Sequence, residues 1–290
     1  MFVDFEAKII KTTGAKINCK IGGSGPPVLL LHGYPQTHVC WHKIAPLLAK
    51  DFTVVVTDLR GYGDSSKPKG KPDHGNYSKR IMAMDQVEVM SQLGYNKFHI
   101  VGHDRGARVA HRLGLDRPTR VDKMAILDML PTYTMYAKTN LDFSTVYYHW
   151  FFLIQDPPLP ETLINNNNEF FLRDYLTKWS EHMSAFTPEA MAEYLRCFRE
   201  KATIHGTCED YRASATIDLE DDERDLAKKM HCPLLVLWGR NSAIGQRYNI
   251  LSTWWDRASN VRGWGLNCGH FLPEEAPEET YNALKEFFFN

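Results

Sequence analysis

The chain has 290 residues, which is enough for one large domain or two small ones. Its hydrophobic fraction of 43% and charged fraction of 24% are typical of a soluble globular protein, and its net charge of −1 gives no electrostatic reason to expect nucleic acid or an acidic membrane as a partner. The six scattered cysteines form no CxxC pair and suggest neither a zinc site nor a redox motif. Since no signal peptide or membrane span is apparent, we expect a cytoplasmic protein.

The first half of the chain alternates between apolar runs and helical patterns. Continuous apolar runs are typical of strands buried on both faces, as in parallel sheets. In chain order, we predict two strands within 5–21, a strand at 28–31, a helix at 41–50, a strand at 52–56, a helix at 78–93, a strand at 98–101, a helix that includes 109–115, and a strand at 124–127.

The alternation stops at about residue 131, where helical, aromatic-rich sequence without strand runs begins. It resumes with a strand at 233–239, and a final helix is predicted at 278–289. Alternating strands and helices indicate βαβ units and a mostly parallel central sheet flanked by helices. We therefore predict an α/β core at 1–130 and 226–290, with a helical cap at 131–225 inserted after the strand that ends near Asp128.

A G-x-nucleophile-x-G pattern stands between the predicted strand at 98–101 and the helix after it. It reads Gly102-His103-Asp104-Arg105-Gly106 and has the form of the nucleophile elbow of α/β-hydrolases, with Asp104 in the nucleophile position. A carboxylate at a helix N-terminus is favoured in its ionised form. The alternative is that Asp104 only caps the helix.

An aspartate nucleophile attacks saturated carbon and forms an ester, which water must then hydrolyse with the help of a base. His270 lies just before the last helix, where the chain order nucleophile–acid–histidine of this fold puts the base. The turn at 238–245 contains no carboxylate, so we choose Asp128, after the preceding strand, as the acid that orients His270. Asp128 could instead cap a turn.

Two arginines stand at the start of the helix that follows the elbow. Arg105 comes directly after Asp104, and Arg108 lies one helical turn beyond it. Arginines in a central helix need anionic company, and two guanidinium groups can hold a carboxylate. They are therefore predicted to bind a small acid, although they could instead pair with Asp104 or Asp128.

The elbow and three further motifs resemble the fluoroacetate (haloacetate) dehalogenases. The motifs are the Gly102–Arg108 segment, H-G-Y-P-Q at 32–36, D-L-R-G-Y-G-D-S at 58–65, and Y-Y-H-W at 147–150. The resemblance extends over the whole chain. Related epoxide hydrolases and haloalkane dehalogenases more often have tryptophan at the position of Arg105.

The resemblance implies a role for each matching residue. It implies Asp104, His270 and Asp128 as nucleophile, base and acid, Arg105 and Arg108 as carboxylate-binding residues, His149, Trp150 and Tyr211 as halide-binding residues, and the backbone N–H groups of Tyr34 and Arg105 as the oxyanion hole. Imidazole, indole and phenol groups are donors that can stabilise a departing fluoride. It further implies a small haloacid as ligand, no metal or organic cofactor, and a homodimer as an open possibility.

We therefore predict hydrolytic dehalogenation of a small 2-haloacid, with fluoroacetate or chloroacetate giving glycolate and halide. Epoxide hydrolysis by the same Asp–His–Asp set is the nearest alternative. It requires cap tyrosines, and the sequence supplies Tyr133, Tyr136, Tyr147, Tyr148 and Tyr175. A neutral epoxide gains nothing from two arginines. A second alternative is a ligand-binding receptor without turnover, which the complete Asp–His–Asp set disfavours.

Overall fold

A computed structural model describes residues 1–289. Its eight-stranded sheet has the order β1-β2-β4-β3-β5-β6-β7-β8. The strands are β1 (Glu6–Thr12), β2 (Ala15–Gly22), β3 (Pro27–Leu31), β4 (Thr53–Thr57), β5 (Phe98–His103), β6 (Val121–Leu127), β7 (Leu234–Gly239) and β8 (Val261–Leu266). The first two strands pair antiparallel, β2 pairs antiparallel with β4, and the pairs from β4 to β8 are parallel.

Helices surround the sheet. They are α1 (Ala45–Leu48), α2 (Lys79–Gln92), α3 (Arg105–Asp116), α4 (Thr132–Ala137), α5 (Leu141–Val146), α6 (Tyr148–Leu153), α7 (Leu159–Asn166), α8 (Asn168–Trp179), α9 (Pro188–Phe198), α10 (Lys201–Ala215), α11 (Ile217–Arg224), α12 (Ala243–Arg247), α13 (Ile250–Trp255), α14 (Leu272–Glu275) and α15 (Pro277–Phe289). Short 3-10 helices lie at His38–Trp41, Gly75–Tyr77, Pro118–Arg120 and Met183–Ala185. Among the helices of residues 1–289, none is long and apolar enough to cross a membrane.

The parallel strands form the centre of the core because both faces of the sheet are covered. Residues 28–31 of β3 and 54–56 of β4 are completely buried, as their continuous apolar runs predict. The predicted α/β fold with a mostly parallel sheet is confirmed. Helices α4–α11, called the inserted helices below, lie between β6 and β7 in sequence; the division into a core and a cap domain stays a prediction.

Two elements differ from the prediction. The single helix at 41–50 is wrong: a 3-10 helix ends at Trp41, and α1 begins separately with Pro46 in its first turn. Strand β8 was not predicted. Gly263 and Gly265 interrupt its apolar residues, and part of it is exposed, so neither a continuous run nor an apolar–polar alternation is visible.

Candidate active site

Asp104 occupies a sharp turn between β5 and α3. Its backbone has φ +48° and ψ −111°, in the region of positive φ that non-glycine residues seldom adopt. The turn requires close approach on both sides. A Cβ on Gly102 would lie 2.5 Å from the Cα of Ala107, and one on Gly106 would collide with the backbone oxygen of His32. The elbow pattern thus corresponds to a strained strand–turn–helix that holds the Asp104 side chain at the carboxyl edge of the sheet.

The Asp104 carboxylate is nearly buried and held by one backbone donor. Its Oδ1 accepts a hydrogen bond of 2.8 Å from the backbone N–H of Tyr34, and the residue is 8% exposed. Burial by itself raises the pKa of a carboxyl group, but the nearby charges of His270, His103 and the two arginines lower the pKa of Asp104 below its ordinary value. Asp104 is therefore ionised at neutral pH, as a nucleophilic carboxylate must be.

His270 lies between the two aspartates. Its Nδ1 is 2.6 Å from Asp128 Oδ2, and its Nε2 is 3.9 Å from Asp104 Oδ2. Within residues 1–289 that Nε2 has no hydrogen-bond partner, although it is buried. Burial disfavours the charged imidazole, yet the hydrogen bond and charge of Asp128 raise the pKa of His270 above its ordinary value. The free nitrogen of an oriented imidazole is suited to take a proton from water.

Asp128 is fixed in turn by the strand beside it. It directly follows β6, and its Oδ1 accepts hydrogen bonds from the backbone N–H of Gly239 (3.0 Å) and from Ser242 Oγ (2.7 Å). Its other oxygen is left for His270. The choice of Asp128 from sequence therefore coincides with a carboxylate that is hydrogen-bonded to the predicted base.

Arg105 is fully buried and already paired with a carboxylate. Its Nε lies 2.8 Å from Asp210 Oδ2 and its Nη2 2.9 Å from Asp210 Oδ1, while Nη2 also lies 2.5 Å from Ser214 Oγ. The guanidinium stacks on the ring of Tyr211 at 4.1 Å. Only Nη1 has no partner among the described residues. Asp210, which sequence reasoning missed, is thus the anion that accompanies Arg105, rather than Asp104 or Asp128.

Arg108 is also buried but differs in its partners. Its side chain donates from Nη1 to the Leu130 carbonyl (3.0 Å) and to Thr132 Oγ1 (2.8 Å). In the part of the chain that the structure describes, no carboxylate lies within ion-pair distance of Arg108, and its Nε has no partner. Burial and the neighbouring charge of Arg105 lower the pKa of Arg108 below its ordinary value, but arginine stays protonated in proteins.

The three predicted halide-binding residues come from the inserted helices and are buried. Burial lowers the pKa of His149 to about 3, so its imidazole is neutral at neutral pH. Its Nδ1 and the hydroxyl of Tyr211 have no hydrogen-bond partner within the described chain. The ring of Trp150 lies against the Arg108 guanidinium at 4.8 Å. Since buried polar groups are normally paired, these unpartnered groups indicate a place for a ligand.

A narrow cavity lies where these groups meet. It has about 10 Å³ of space for the centre of a water molecule, enough for roughly one water. Its lining consists of Asp104, Arg108, Asp128, Met129, Leu130, Met135, Tyr147, His149, Trp150, Tyr175, Trp179, Ile244 and His270. Arg105 and Tyr211 are not among the described residues that line it.

Sequence reasoning missed Asp210 and the hydroxyl of Tyr34, which is buried without a partner in the described chain. The only available signal for Asp210 was its position next to Tyr211. No sequence pattern relates residue 210 to residue 105, because their contact joins the inserted helix α10 to the elbow helix α3.

Comparison with known proteins identifies the family to which the chain belongs. A family model described as the alpha/beta hydrolase fold matches residues 26–277. The chain is 45% identical to a fluoroacetate dehalogenase of a Burkholderia species, over 99% of this chain and 95% of the relative. It is 35% identical to a soluble epoxide hydrolase of a Corynebacterium species, over 95% and 94% of the two chains.

A solved structure adds to the agreement on the fold. ALR0039 from Nostoc sp PCC 7120 superimposes with a TM-score of 0.98 at 64% identity, covering 99% of each chain. The resemblance to the fluoroacetate dehalogenases predicted from sequence is confirmed by the relative that bears that name. The chain therefore belongs to the α/β-hydrolase fold family.

Proposed function

We propose that this protein hydrolyses the carbon–halogen bond of a small 2-haloacid, such as fluoroacetate or chloroacetate. The observation that carries the proposal is Arg108, a buried cation beside Asp104 with no carboxylate partner within residues 1–289. A buried charge is costly unless it is paired. A substrate carboxylate would supply the missing anion and hold the adjacent carbon near Asp104.

In the first step, Asp104 Oδ2 attacks the carbon that carries the halogen. A C–O bond forms, the carbon–halogen bond breaks, and halide leaves with the bonding electrons. Oδ1 keeps its hydrogen bond to the Tyr34 N–H during this step. The product is an ester between Asp104 and the acid.

Fluoride is a poor leaving group unless donors stabilise its developing charge. His149 Nδ1 and the Tyr211 hydroxyl are buried and lack partners within the described chain, so neither must break an existing bond to receive halide. Trp150, beside Arg108, supplies an indole N–H. Donors that need no reorganisation are the most effective kind.

In the second step, His270 Nε2 takes a proton from water, and the resulting hydroxide attacks the ester carbonyl of Asp104. The negative charge that develops on Oδ1 is stabilised by the Tyr34 N–H and by the N–H of Arg105, the second donor of the predicted oxyanion hole. Collapse breaks the bond between the ester carbonyl carbon and the substrate oxygen, and this oxygen takes the proton from His270 and leaves as the hydroxyl group of a 2-hydroxyacid. The second proton of the water then dissociates from the Asp104 carboxyl to solvent, which restores the carboxylate. The net reaction consumes one water and releases halide and one proton.

The test is halide release measured with an ion-selective electrode on fluoroacetate and chloroacetate. We expect many turnovers per protein molecule with formation of glycolate. In His270→Asn, the ester should persist and appear in intact-mass spectra as a substrate-derived adduct. The Asp104→Asn variant, which lacks the nucleophile, should show no such adduct. Absence of both halide release and adduct would overturn the proposal.

Epoxide hydrolysis is the second candidate, because the same free donors could protonate an oxirane oxygen. The Tyr211 hydroxyl and His149 Nδ1 are suited to this role, and a soluble epoxide hydrolase is a 35% identical relative. Arg108 argues against it, since a neutral epoxide leaves this cation unpaired. Diol formation from a small epoxide at a rate above that of halide release would reverse the preference.

A further inference from the structure

A buried ion cluster joins the elbow helix to the inserted helices behind the site. Asp210 of α10 accepts hydrogen bonds from Arg105, from Lys79 of α2 and from the hydroxyl of Tyr62 (2.6 Å). Lys79 also lies 3.1 Å from Asp218. Because these two cations and two carboxylates are all nearly or fully buried, their charges compensate one another within the protein.

The pairing with Asp210 determines which part of Arg105 remains available. Asp210 binds the edge of the guanidinium formed by Nε and Nη2, and Ser214 and the Asp210 carbonyl (2.9 Å) take further bonds from Nη2. The Tyr211 ring covers one face. A guanidinium held on one edge and one face has little rotational freedom, and Nη1 is the nitrogen left without a partner in the described chain.

We propose that Asp210 is a positioning residue that gives this enzyme its selectivity for charged haloacids. By holding the Nε and Nη2 edge of Arg105, it leaves the unpartnered Nη1 as the nitrogen that would meet a substrate carboxylate bound by Arg108. This inference rests on the proposed haloacid dehalogenation. It differs from a purely structural role, in which Asp210 would only hold α10 against α2 and α3.

The experiment compares a charged and a neutral substrate of the same size, chloroacetate and chloroacetamide. In Asp210→Asn, we expect kcat/KM for chloroacetate to fall by about 10–100-fold, mainly through KM, because the loss of one charge-assisted contact has this magnitude. The value for chloroacetamide should change by less than about threefold. Equal losses for the two substrates would show that Asp210 only supports the fold.

Glu209→Gln is the matched control. Glu209 precedes Asp210 on α10 and is likewise buried, but it binds Arg212 (2.8 Å) and His74 (2.8 Å) rather than Arg105. Its substitution removes an equivalent buried charge and should leave unchanged the ratio of kcat/KM for chloroacetate to kcat/KM for chloroacetamide. A shift of that ratio as large as in Asp210→Asn would overturn the proposal.

A milder variant covers the case in which Asp210→Asn does not fold. Ser214→Ala removes the 2.5 Å contact to Arg105 Nη2 without changing any charge. It should lower kcat/KM for chloroacetate by about threefold, because Asp210 still holds the guanidinium and only one of its hydrogen bonds is lost, and it should leave kcat/KM for chloroacetamide unchanged. No change in the ratio would contradict the positioning role.

A binding measurement separates this inference from the proposed function. Fluoroacetate binding is followed by ¹⁹F NMR in Asp104→Asn protein, which cannot form the ester, and in the same protein carrying Ser214→Ala or Asp210→Asn. Weaker fluoroacetate binding in the two double variants than in Asp104→Asn alone supports the role of Asp210, even if the wild type releases no halide. Unchanged binding overturns it even if halide release is observed.

Discussion

The sheet side and the inserted-helix side of the site differ in how far their polar groups are already paired. At the carboxyl edge of the sheet, the Asp104 carboxylate accepts from a backbone N–H and Asp128 holds His270. On the inserted helices, His149 Nδ1 and the Tyr211 hydroxyl have no partner within residues 1–289. The sheet therefore carries reactive groups that orient one another, whereas the inserted helices present donors suited to a ligand.

This difference predicts two kinds of mutational effect. Loss of a sheet-edge group should slow the reaction of every substrate, since those groups perform the bond changes. Loss of a group that only meets the ligand should alter the order of preference among substrates. Arg108 is the informative exception, because it lies on the sheet side but lacks an anionic partner in the described chain, like the donors of the inserted helices.

The largest effect is expected for Asp104→Asn. The amide can still accept from the Tyr34 N–H, but it is a poor nucleophile, so kcat should fall by at least about 10⁴-fold for all haloacids. Halide release under single-turnover conditions is the measurement. Thermal unfolding should show some loss of stability, because the lowered pKa means that the neighbouring charges stabilise ionised Asp104 in the folded protein, so the rates are compared well below that transition. A residual rate above a hundredth of the wild type would exclude Asp104 as nucleophile.

Arg108→Gln tests the exception. Removing the unpaired cation should lower kcat/KM for chloroacetate by about 10³-fold, the upper range for loss of one electrostatic contact in a buried site. Chloroacetamide should be affected by less than about tenfold, because it has no charge for Arg108 to bind. If both substrates lose the same factor, the side chain serves the fold or Asp104 rather than the substrate carboxylate.

These expectations also show which parts of the site sequence can predict. Asp104 and His270 follow from a turn pattern and a chain order that the fold imposes, and Asp128 follows from its position after β6. The pairing of Arg105 with Asp210 does not, since it joins two buried side chains 105 positions apart. Strand β8 could not be predicted for a related reason. The backbone of Val236 lies too close to Gly263 to leave room for a side chain, a contact that the sequence does not show, and the glycines interrupt the apolar periodicity of the strand.

Tyr211→Phe tests the inserted helices. The phenyl ring keeps the stacking with Arg105, and the lost hydroxyl has no partner in the described chain, so stability should stay within about 0.5 kcal/mol. Fluoroacetate turnover should fall by about 10²-fold, because this is the usual loss when one donor to a developing negative charge is removed. Chloroacetate should lose much less, because chloride is the better leaving group. An equal loss for both acids would remove Tyr211 from the halide site.

A smaller, graded effect is expected from pH. Hydrolysis of the ester needs neutral His270, and the hydrogen bond and charge of Asp128, which persist when Asp104 is esterified, raise the pKa of this residue above its ordinary value of 6.5. The rate should therefore fall about tenfold for each pH unit below a midpoint higher than 6.5. The lowered pKa of Asp104 adds no second limb in this range. A kcat profile between pH 5 and 9 with its acid midpoint below 6.5 would contradict the pairing of His270 with Asp128.

The smallest effect is expected for Ser242→Ala, which tests how far the orientation of His270 by Asp128 contributes to the reaction. Ser242→Ala removes one of the two donors to Asp128 Oδ1, while the Gly239 N–H remains, so kcat should fall by about threefold for charged and neutral substrates alike. Ser242 also caps α12, and the variant should lose about 1 kcal/mol of stability. Asn249→Ala, which removes the equivalent cap of α13, is the control for stability alone. If both variants lose activity equally, the loss reflects unfolding. If only Ser242→Ala loses activity, the hydrogen bond from Ser242 to the Asp128 carboxylate contributes to the reaction through the orientation of His270.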